Sequence, residues 1–266
     1  YGTAAHAAAA PDKGRSALDA VEAMNHMVNM MREHIPADAK IHYVITQGGK
    51  APNVVPDFAE VYYYVRHPNR EIVMQLFERI LKAAEGAAMG TETRTDFEII
   101  GGTYELLLNN QLAEIMQANL VKVGGVTYTN SEKEFAMKIQ AGLGFQADPI
   151  ETAGRVKPIL INTGKTTGST DVGDVSYAVP TVGLRAATWV PGTPAHSWQA
   201  VACGGTEIGI KGMMVAAKTM AMTLLDLLLQ PEQLSKAKAE FDAARGPGFR
   251  YVPLLGDRSP ALNYRN

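Results

Sequence analysis

The first hundred residues alternate between helical and strand periodicity in a fixed order, and this order restricts the fold more than any other feature. Helical stretches place apolar residues at three- and four-residue steps, whereas strand stretches alternate or are rich in Val and Tyr. The order is helix, strand, strand, helix, strand, over Pro11–Pro36, Lys40–Thr46, Phe58–Arg66, Asn69–Ala84 and Thr91–Ile100. Either Asp12 or Ser16 is expected to cap the first helix.

One more strand ahead of Tyr1 would complete the βαββαβ order of a ferredoxin-like module. The chain has no initiator Met, and Tyr1–His6 opens abruptly, as if inside an element. We therefore expect a piece of a longer polypeptide whose first strand is missing. Gly101-Gly102 ends this module, and the sequence predicts a domain boundary near Tyr104, giving domains 1–104 and 105–266.

The second domain is predicted to be richer in helix. Helices are expected over four stretches: Asn109–Lys122, Ser131–Leu143, Gly204–Leu229 and Pro231–Ala244. Ser131 and Glu134 form a candidate capping box for the second of these helices. Between the helices lie an irregular stretch over 148–167, a Gly- and Ser-rich turn over 164–173 and strand candidates over 182–189.

Composition excludes several classes of function. The formal net charge is -2 and there is no basic block, so nucleic-acid binding has no support. Cys203 is the only cysteine, which rules out an intramolecular disulfide and fits a cytoplasmic protein. The most apolar stretch, Met213–Leu229, contains Lys218 and Asp226, so we predict a buried helix there and no membrane span.

Among the six histidines, His196 has the most suggestive setting. It lies in the rigid turn Gly192–Trp198 after an apolar strand candidate, and α/β proteins place ligands and metals in such loops. Imidazole is a common ligand of zinc-like ions. Ser169 and Asp171 could join His196 in a serine-nucleophile arrangement, but there is no Gly-x-Ser-x-Gly elbow. No local motif completes a metal site around His196.

Four strings, in order along the chain, resemble one family, the aminoacylase and succinyl-diaminopimelate desuccinylase type of metallopeptidases (metallopeptidase family 20, subfamily D). Its lid domain opens like Gly2-Thr3-Ala4-Ala5-His6-Ala7-Ala8, and Gly48–Asp57 resembles the signature of the same lid. The last strings, Gly168–Ser176 and Gly192–Trp198, most resemble the aminobenzoyl-glutamate utilization protein B branch. The resemblance covers almost the whole chain.

The resemblance implies a role for each matching residue. Family members bind two divalent metal ions, zinc or manganese, and hydrolyse amides with a bridging hydroxide and a carboxylate base. His196 matches the last metal ligand, and His6 matches a lid histidine that stabilises the oxyanion in the partner subunit's active site. Asn53 matches a substrate-binding residue, and Arg66 matches the arginine that binds a substrate carboxylate. From the residues alone, Asn53 also fits a turn position and Arg66 a strand-edge ion pair.

The resemblance also implies an α/β fold, in which a ferredoxin-like α+β dimerisation lid (1–104) precedes the second half of a zinc-peptidase-like catalytic domain (105–266). The implied protein is cytoplasmic, forms a homodimer through its lid or pairs with a homologous partner, and acts on a small N-acyl amino acid. The family's other metal ligands and its catalytic Glu lie ahead of the lid, outside this chain. We therefore expect this chain alone to be inactive, with a metal site that is incomplete or empty. A non-catalytic dimerisation or binding module is the alternative.

Overall fold

In the computed structural model, residues 1–159 and 168–256 are described, and they form two compact units. The first unit comprises 1–105 together with 168–171 and 252–256, and the second comprises 106–159 and 172–251. Both helices and a small antiparallel sheet are present, and the sheet belongs to the first unit.

The first helix of the first unit is shorter than the sequence predicts. Helix α1 spans Ala17–Met31, and single 3-10 turns lie on either side of it at Pro11–Lys13 and Arg32–His34. Of the two candidate caps, Ser16 is the one used, because its hydroxyl accepts a hydrogen bond from the backbone N–H of Asp19 at 3.1 Å.

The first two strands that the sequence predicts are present in the structure. Strand β1 (Lys40–Gln47) pairs with β2 (Glu60–Arg66) in antiparallel fashion, with His42 opposite Tyr64 and Tyr43 opposite Tyr63. Alternate residues of the sheet face inward, where Ile41 joins Val28 of α1 in a buried cluster. Helix α2 (Arg70–Gly90) contributes Ile80 to the same cluster and runs six residues past its predicted end at Ala84.

The third predicted strand, Thr91–Ile100, is wrong, because these residues form no strand in the structure. Among the described residues, the sheet has only β1 and β2. Arg94 exchanges two backbone hydrogen bonds with Tyr1, at 2.7 and 2.9 Å. A strand needs a run of such pairs, and a single exchange does not make one.

The described residues of the second unit contain helices joined by irregular stretches, and no strand. Its helices are α3 (Asn110–Val123), α4 (Asn130–Ala141), α5 (Val172–Ala178), α6 (Trp198–Gly204), α7 (Glu207–Leu229) and α8 (Pro231–Arg245). The buried Asn119 of α3 is hydrogen-bonded to Asp226 of α7 at 2.7 Å, and the cap residue Asn109 is bonded to the Ala237 carbonyl of α8 at 2.8 Å. These buried amides fix the register in which the helices pack.

Three predictions for the second unit need correction. The capping box of α4 is formed by Thr129 and Glu132, two residues ahead of the predicted pair. Residues 182–189 form no strand, because the described part of this unit contains no strand with which they could pair. The sequence does not predict the short helix α5, since its glycine-rich surroundings are typical of a turn. Within the irregular stretch 148–167 and the turn 164–173, residues 160–167 lie outside the described residues.

The sequence predicts that helix α7 is buried, but in the structure only one face of the helix is packed against other residues. The packed face carries small and polar residues, among them Gly209, Gly212, Thr219 and Thr223. The outer face carries large apolar side chains with 43–77% exposure: Ile210, Met213, Met214, Met220, Leu224, Leu225, Leu228 and Leu229. By length and composition alone α7 could cross a membrane, with 17% of its most apolar window buried. An exposed apolar face of this size is typical of an interaction surface.

Candidate functional site

His6 is held by its backbone beside the loop that follows β1. It forms an isolated antiparallel bridge with Val54, and its side chain is exposed. Its Nδ1 atom accepts hydrogen bonds from the backbone N–H groups of Ala8 and Ala9, at 3.2 and 3.1 Å. In a neutral imidazole only one nitrogen carries a proton, so Nε2 is assigned as the donor. The ring therefore presents an N–H group on its outer side.

Asn53 lies directly beside His6. The backbone N–H of Ala7 donates to the Asn53 carbonyl at 3.0 Å, and that of Val55 donates to the Ala5 carbonyl at 3.0 Å. The exposed Asn53 also sits in a turn closed by a hydrogen bond from Val54 N–H to the Ala51 carbonyl. The turn reading of Asn53 is thus correct, and it does not compete with a binding role, because the turn leaves the side chain exposed.

A glycine in the predicted lid signature shapes this loop. Gly49 has φ +104°, in the region that residues with a Cβ rarely adopt, and a Cβ there would lie 2.8 Å from the Pro56 ring. The loop can fold back so that Asn53 meets the segment around His6 only because position 49 is a glycine. The order of Gly49, Asn53 and Pro56 in the sequence therefore has a local structural cause.

Arg66 is the last residue of β2, opposite Lys40 at the start of β1. Its guanidinium carbon lies 5.3 Å from the centroid of the Tyr64 ring, a cation–π distance. Arg66 is exposed, and it forms no ion pair among the described residues. Within the part of the chain that the structure describes, the strand-edge ion pair that the sequence allowed is therefore not formed.

His196 belongs to the second unit and has an unusual backbone. Its φ is +61°, in the left-handed region that non-glycine residues rarely adopt. The next residue, Ser197, caps α6 by accepting from the Ala200 N–H at 3.2 Å, and its hydroxyl donates to the Pro194 carbonyl at 2.7 Å. The turn thus holds an exposed imidazole in a conformation that strained functional sites often show. Sequence alone does not reveal such a φ value.

The described residues do not make up a complete metal site. Over 1–159 and 168–256, no group of three or more His, Cys, Asp or Glu side chains is placed to hold a metal ion. A catalytic zinc ion usually needs three protein ligands. The donor set of the described residues therefore does not fit such an ion, and the metal-ligand role of His196 stays a prediction.

Sequence reasoning missed one charged cluster in the second unit. Lys211 of α7 forms an ion pair with Glu132 at 2.7 Å, and Glu132 also accepts from the Thr129 N–H at 2.6 Å. Burial raises the pKa of Glu132, but the hydrogen bonds from Lys211 and Thr129 outweigh it and leave the pKa below its ordinary value. Burial also raises the pKa of the neighbouring Tyr128. The pair joins α4 to α7, and we assign it a structural role.

Comparison with known proteins places these features in a family. A family description, peptidase dimerisation domain of the M20 type, matches residues 1–91. Over 98% of its length the chain is 38% identical to one of the subunits of the p-aminobenzoyl-glutamate hydrolase of Escherichia coli, the one that carries the letter B. Residues 1–91 thus match the dimerisation domain of the M20 peptidase family. This agrees with the resemblance of its lid and His196 strings.

Two further relatives are hydrolases by name. The chain is 28% identical to the Xaa-Arg dipeptidase of Mus musculus over 91% of its length. Over 47% of its length it is 30% identical to a second polypeptide of the Escherichia coli p-aminobenzoyl-glutamate hydrolase, which carries the letter A. The chain spans 59% of the first of these hydrolase polypeptides and 49% of the mouse dipeptidase. The activity, substrates and partners of the whole protein are therefore matters of proposal.

Proposed function

We propose that this chain supplies the lid, and one metal ligand, of a metal-dependent amidohydrolase that cleaves p-aminobenzoyl-glutamate or a similar N-acyl amino acid. The observation that carries the proposal is the arrangement of His6, whose Nδ1 accepts hydrogen bonds from two backbone N–H groups, which leaves Nε2 as the nitrogen that can donate. The 38% identity to a polypeptide of the p-aminobenzoyl-glutamate hydrolase supports the choice of substrate.

His6 is proposed to donate to the developing oxyanion. Attack on an amide carbonyl places negative charge on its oxygen, and a fixed N–H group stabilises that charge more in the transition state than in the ground state. A donor held by backbone contacts needs little reorganisation at the moment of reaction. The bridge to Val54 and the two bonds to Nδ1 provide this fixation.

Arg66 and Asn53 are proposed to bind the substrate. The planar guanidinium of Arg66 matches a carboxylate with two parallel hydrogen bonds, and no acid among the described residues competes for it. The exposed Asn53 amide can donate to a carbonyl or carboxylate oxygen and accept from an amide N–H. Each of these two residues would then hold a polar group of the substrate at the lid.

His196 is proposed as one ligand of a pair of zinc or manganese ions. Because the described donor set is not sufficient for such a pair, the other ligands must come from residues outside it, and no step of the reaction is derived through the metal. We propose that the 266-residue chain alone is inactive, that it works in the cytoplasm, and that it pairs through its lid with a second copy or a homologous partner.

The test compares the 266-residue chain with the full-length gene product. Release of p-aminobenzoate from p-aminobenzoyl-glutamate is measured with added zinc or manganese, and metal content is measured by mass spectrometry. We expect turnover by the full-length product only, and no tightly bound stoichiometric metal in the chain alone. Hydrolysis by the isolated chain, or a full complement of metal in it, would contradict the proposal.

The match of residues 1–91 to a dimerisation domain favours one alternative, a non-catalytic dimerisation module. This alternative predicts that the full-length product self-associates but hydrolyses no N-acyl amino acid. Sedimentation analysis beside the p-aminobenzoate assay distinguishes the two. Self-association without turnover would favour the dimerisation module, whereas turnover that is lost in His6→Ala but kept in His26→Ala favours the hydrolase. His26 is a suitable control because it is an exposed histidine of α1.

A further inference from the structure

The two-stranded sheet has an inner and an outer face of different character. Inward residues such as Ile41, Tyr63 and Val65 pack in the cluster around Val28 and Ile80. The outward positions alternate with them and form what we call the outer sheet face, defined as His42, Val44, Tyr62, Tyr64 and Arg66. Val44 and Tyr64 on this face are 55% and 52% exposed, so its apolar and aromatic surface is open to a ligand.

The rings of Tyr62 and Tyr64 form an aromatic surface on the outer sheet face, which we call the shelf. The Tyr62 and Tyr64 rings lie 5.1 Å apart at 53°, and the Tyr62 hydroxyl donates to the Tyr64 hydroxyl at 3.4 Å. Across the ladder, Val44 lies opposite Tyr62 and His42 opposite Tyr64. A shallow depression of about 200 Å³ is lined by these four residues and Tyr43.

The shelf adjoins a cation that has no acidic partner among the described residues. Arg66 follows Tyr64 by two positions on the same face, and its guanidinium lies 5.3 Å from the Tyr64 ring. A ligand that fits both features must carry an anionic group at one end and a flat apolar group a short distance away. An N-aroyl amino acid has this form, because a short amide link joins its aromatic ring to its carboxylate.

We propose that Tyr62 and Tyr64 bind the aromatic acyl ring of an N-aroyl amino acid whose carboxylate is bound by Arg66. This inference rests on the proposed function, and it adds the residues that select an aromatic over a small aliphatic acyl group. Aromatic rings packed edge to face or offset gain free energy beyond the area they bury, and this gain is absent for an acetyl group. Tyr62 and Tyr64 are thus specificity-determining residues.

Ligand binding to the 266-residue chain tests the inference directly. Saturation-transfer NMR is recorded with p-aminobenzoyl-glutamate and with N-acetyl-glutamate, which share the glutamate and differ in the acyl group. We expect saturation of the aromatic protons, and affinity for the aroyl compound roughly 2- to 13-fold weaker in Tyr64→Ala, from the known strength of aromatic pairs. Tyr64→Phe keeps the ring and should bind as wild type does. Tyr64→Leu keeps apolar bulk without a ring and should resemble Tyr64→Ala.

The outcomes separate this inference from the proposed function. Circular dichroism first checks that the variants fold, as expected for a half-exposed residue. Absence of aromatic saturation in the wild-type chain, or equal weakening of both ligands in Tyr64→Ala, would overturn the inference. If the full-length product hydrolyses both compounds and Tyr64→Ala leaves their kcat/KM ratio unchanged, the inference fails and the proposed function stands. Ring-selective binding without any hydrolysis would support the inference and remove the proposed function.

Discussion

The two nitrogens of His6 have different tasks, so two isosteric amides can separate them. An Asn at position 6 places its side-chain oxygen near Nδ1 and can still accept from the N–H groups of Ala8 and Ala9. A Gln extends its amide N–H₂ to about the reach of Nε2, but it lacks an acceptor at the Nδ1 position. His6→Asn therefore removes the outward donor, whereas His6→Gln keeps the donor and disturbs its support.

The expected magnitudes differ for the two variants. Loss of one oxyanion donor typically costs about 2.7–4 kcal/mol, so His6→Asn should lower kcat by roughly 10²–10³ and leave KM nearly unchanged. Loss of a hydrogen bond between neutral groups costs about 0.5–1.5 kcal/mol, and the two bonds to Nδ1 are exposed, so His6→Gln should lose stability near the lower end of that range. We expect His6→Gln to retain more kcat than His6→Asn.

The assay measures kcat and KM for release of p-aminobenzoate by the full-length gene product, with thermal unfolding followed by circular dichroism. His26→Ala serves as the control, since it removes an exposed imidazole of α1. An His6→Asn variant with wild-type kcat would refute the donor role of Nε2. A lower kcat in His6→Gln than in His6→Asn would show that the backbone contacts of Nδ1 matter more than the outward proton.

Three further predictions concern single residues. Arg66→Lys should raise KM for p-aminobenzoyl-glutamate roughly tenfold with kcat retained, because an ammonium group cannot form the paired hydrogen bonds of a guanidinium; an unchanged KM would argue against carboxylate binding. Ser169→Ala should leave the kcat of the full-length product unchanged. A large fall in kcat would instead favour a serine nucleophile. Glu132→Gln should lower the free energy of unfolding at neutral pH by about 1–3 kcal/mol. Burial raises the pKa of Glu132, but its hydrogen bonds leave the folded-state pKa below the unfolded one. The charge of Glu132 therefore contributes to the free energy of unfolding above the unfolded pKa, and this contribution disappears as the pH falls through the folded pKa. Urea unfolding of both proteins at several pH values tests this, and a constant difference at acid pH would contradict it.

Local patterns predicted the elements whose formation depends on local interactions. The helices from α1 to α4, together with α7 and α8, follow apolar periodicity and nearby caps, and β1 and β2 are adjacent in the chain and can pair through their connecting loop. The strand predictions for 91–100 and 182–189 were wrong because a strand forms only where another strand pairs with it, and that partner can be distant in sequence. The exposure of one face of α7 could not be predicted either, because periodicity shows that a helix face is apolar but not whether another element covers it.

The capping box of α4 shows how a distant contact can decide between two local choices. Thr129 with Glu132 and Ser131 with Glu134 both have the required spacing, so the sequence offers two registers of equal quality. In the structure Glu132 accepts from Lys211 of α7 as well as from the Thr129 N–H. This long-range ion pair favours the earlier register, and no pattern within α4 could have indicated it.

The four predicted site residues, one catalytic, two substrate-binding and one metal-binding, differ in how far the described chain positions them for their roles. His196 can act as a metal ligand only with further ligands, since a single imidazole cannot hold a metal pair. His6 and Asn53 are positioned without further ligands, because backbone hydrogen bonds between residues 5–7 and 53–55 hold them side by side. Arg66 is positioned by its strand and by the Tyr64 ring. Binding and oxyanion stabilisation depend on such pre-set geometry. Substrate binding by the lid should therefore be measurable in this chain even where hydrolysis is not, so the lid residues can be tested independently of the metal site.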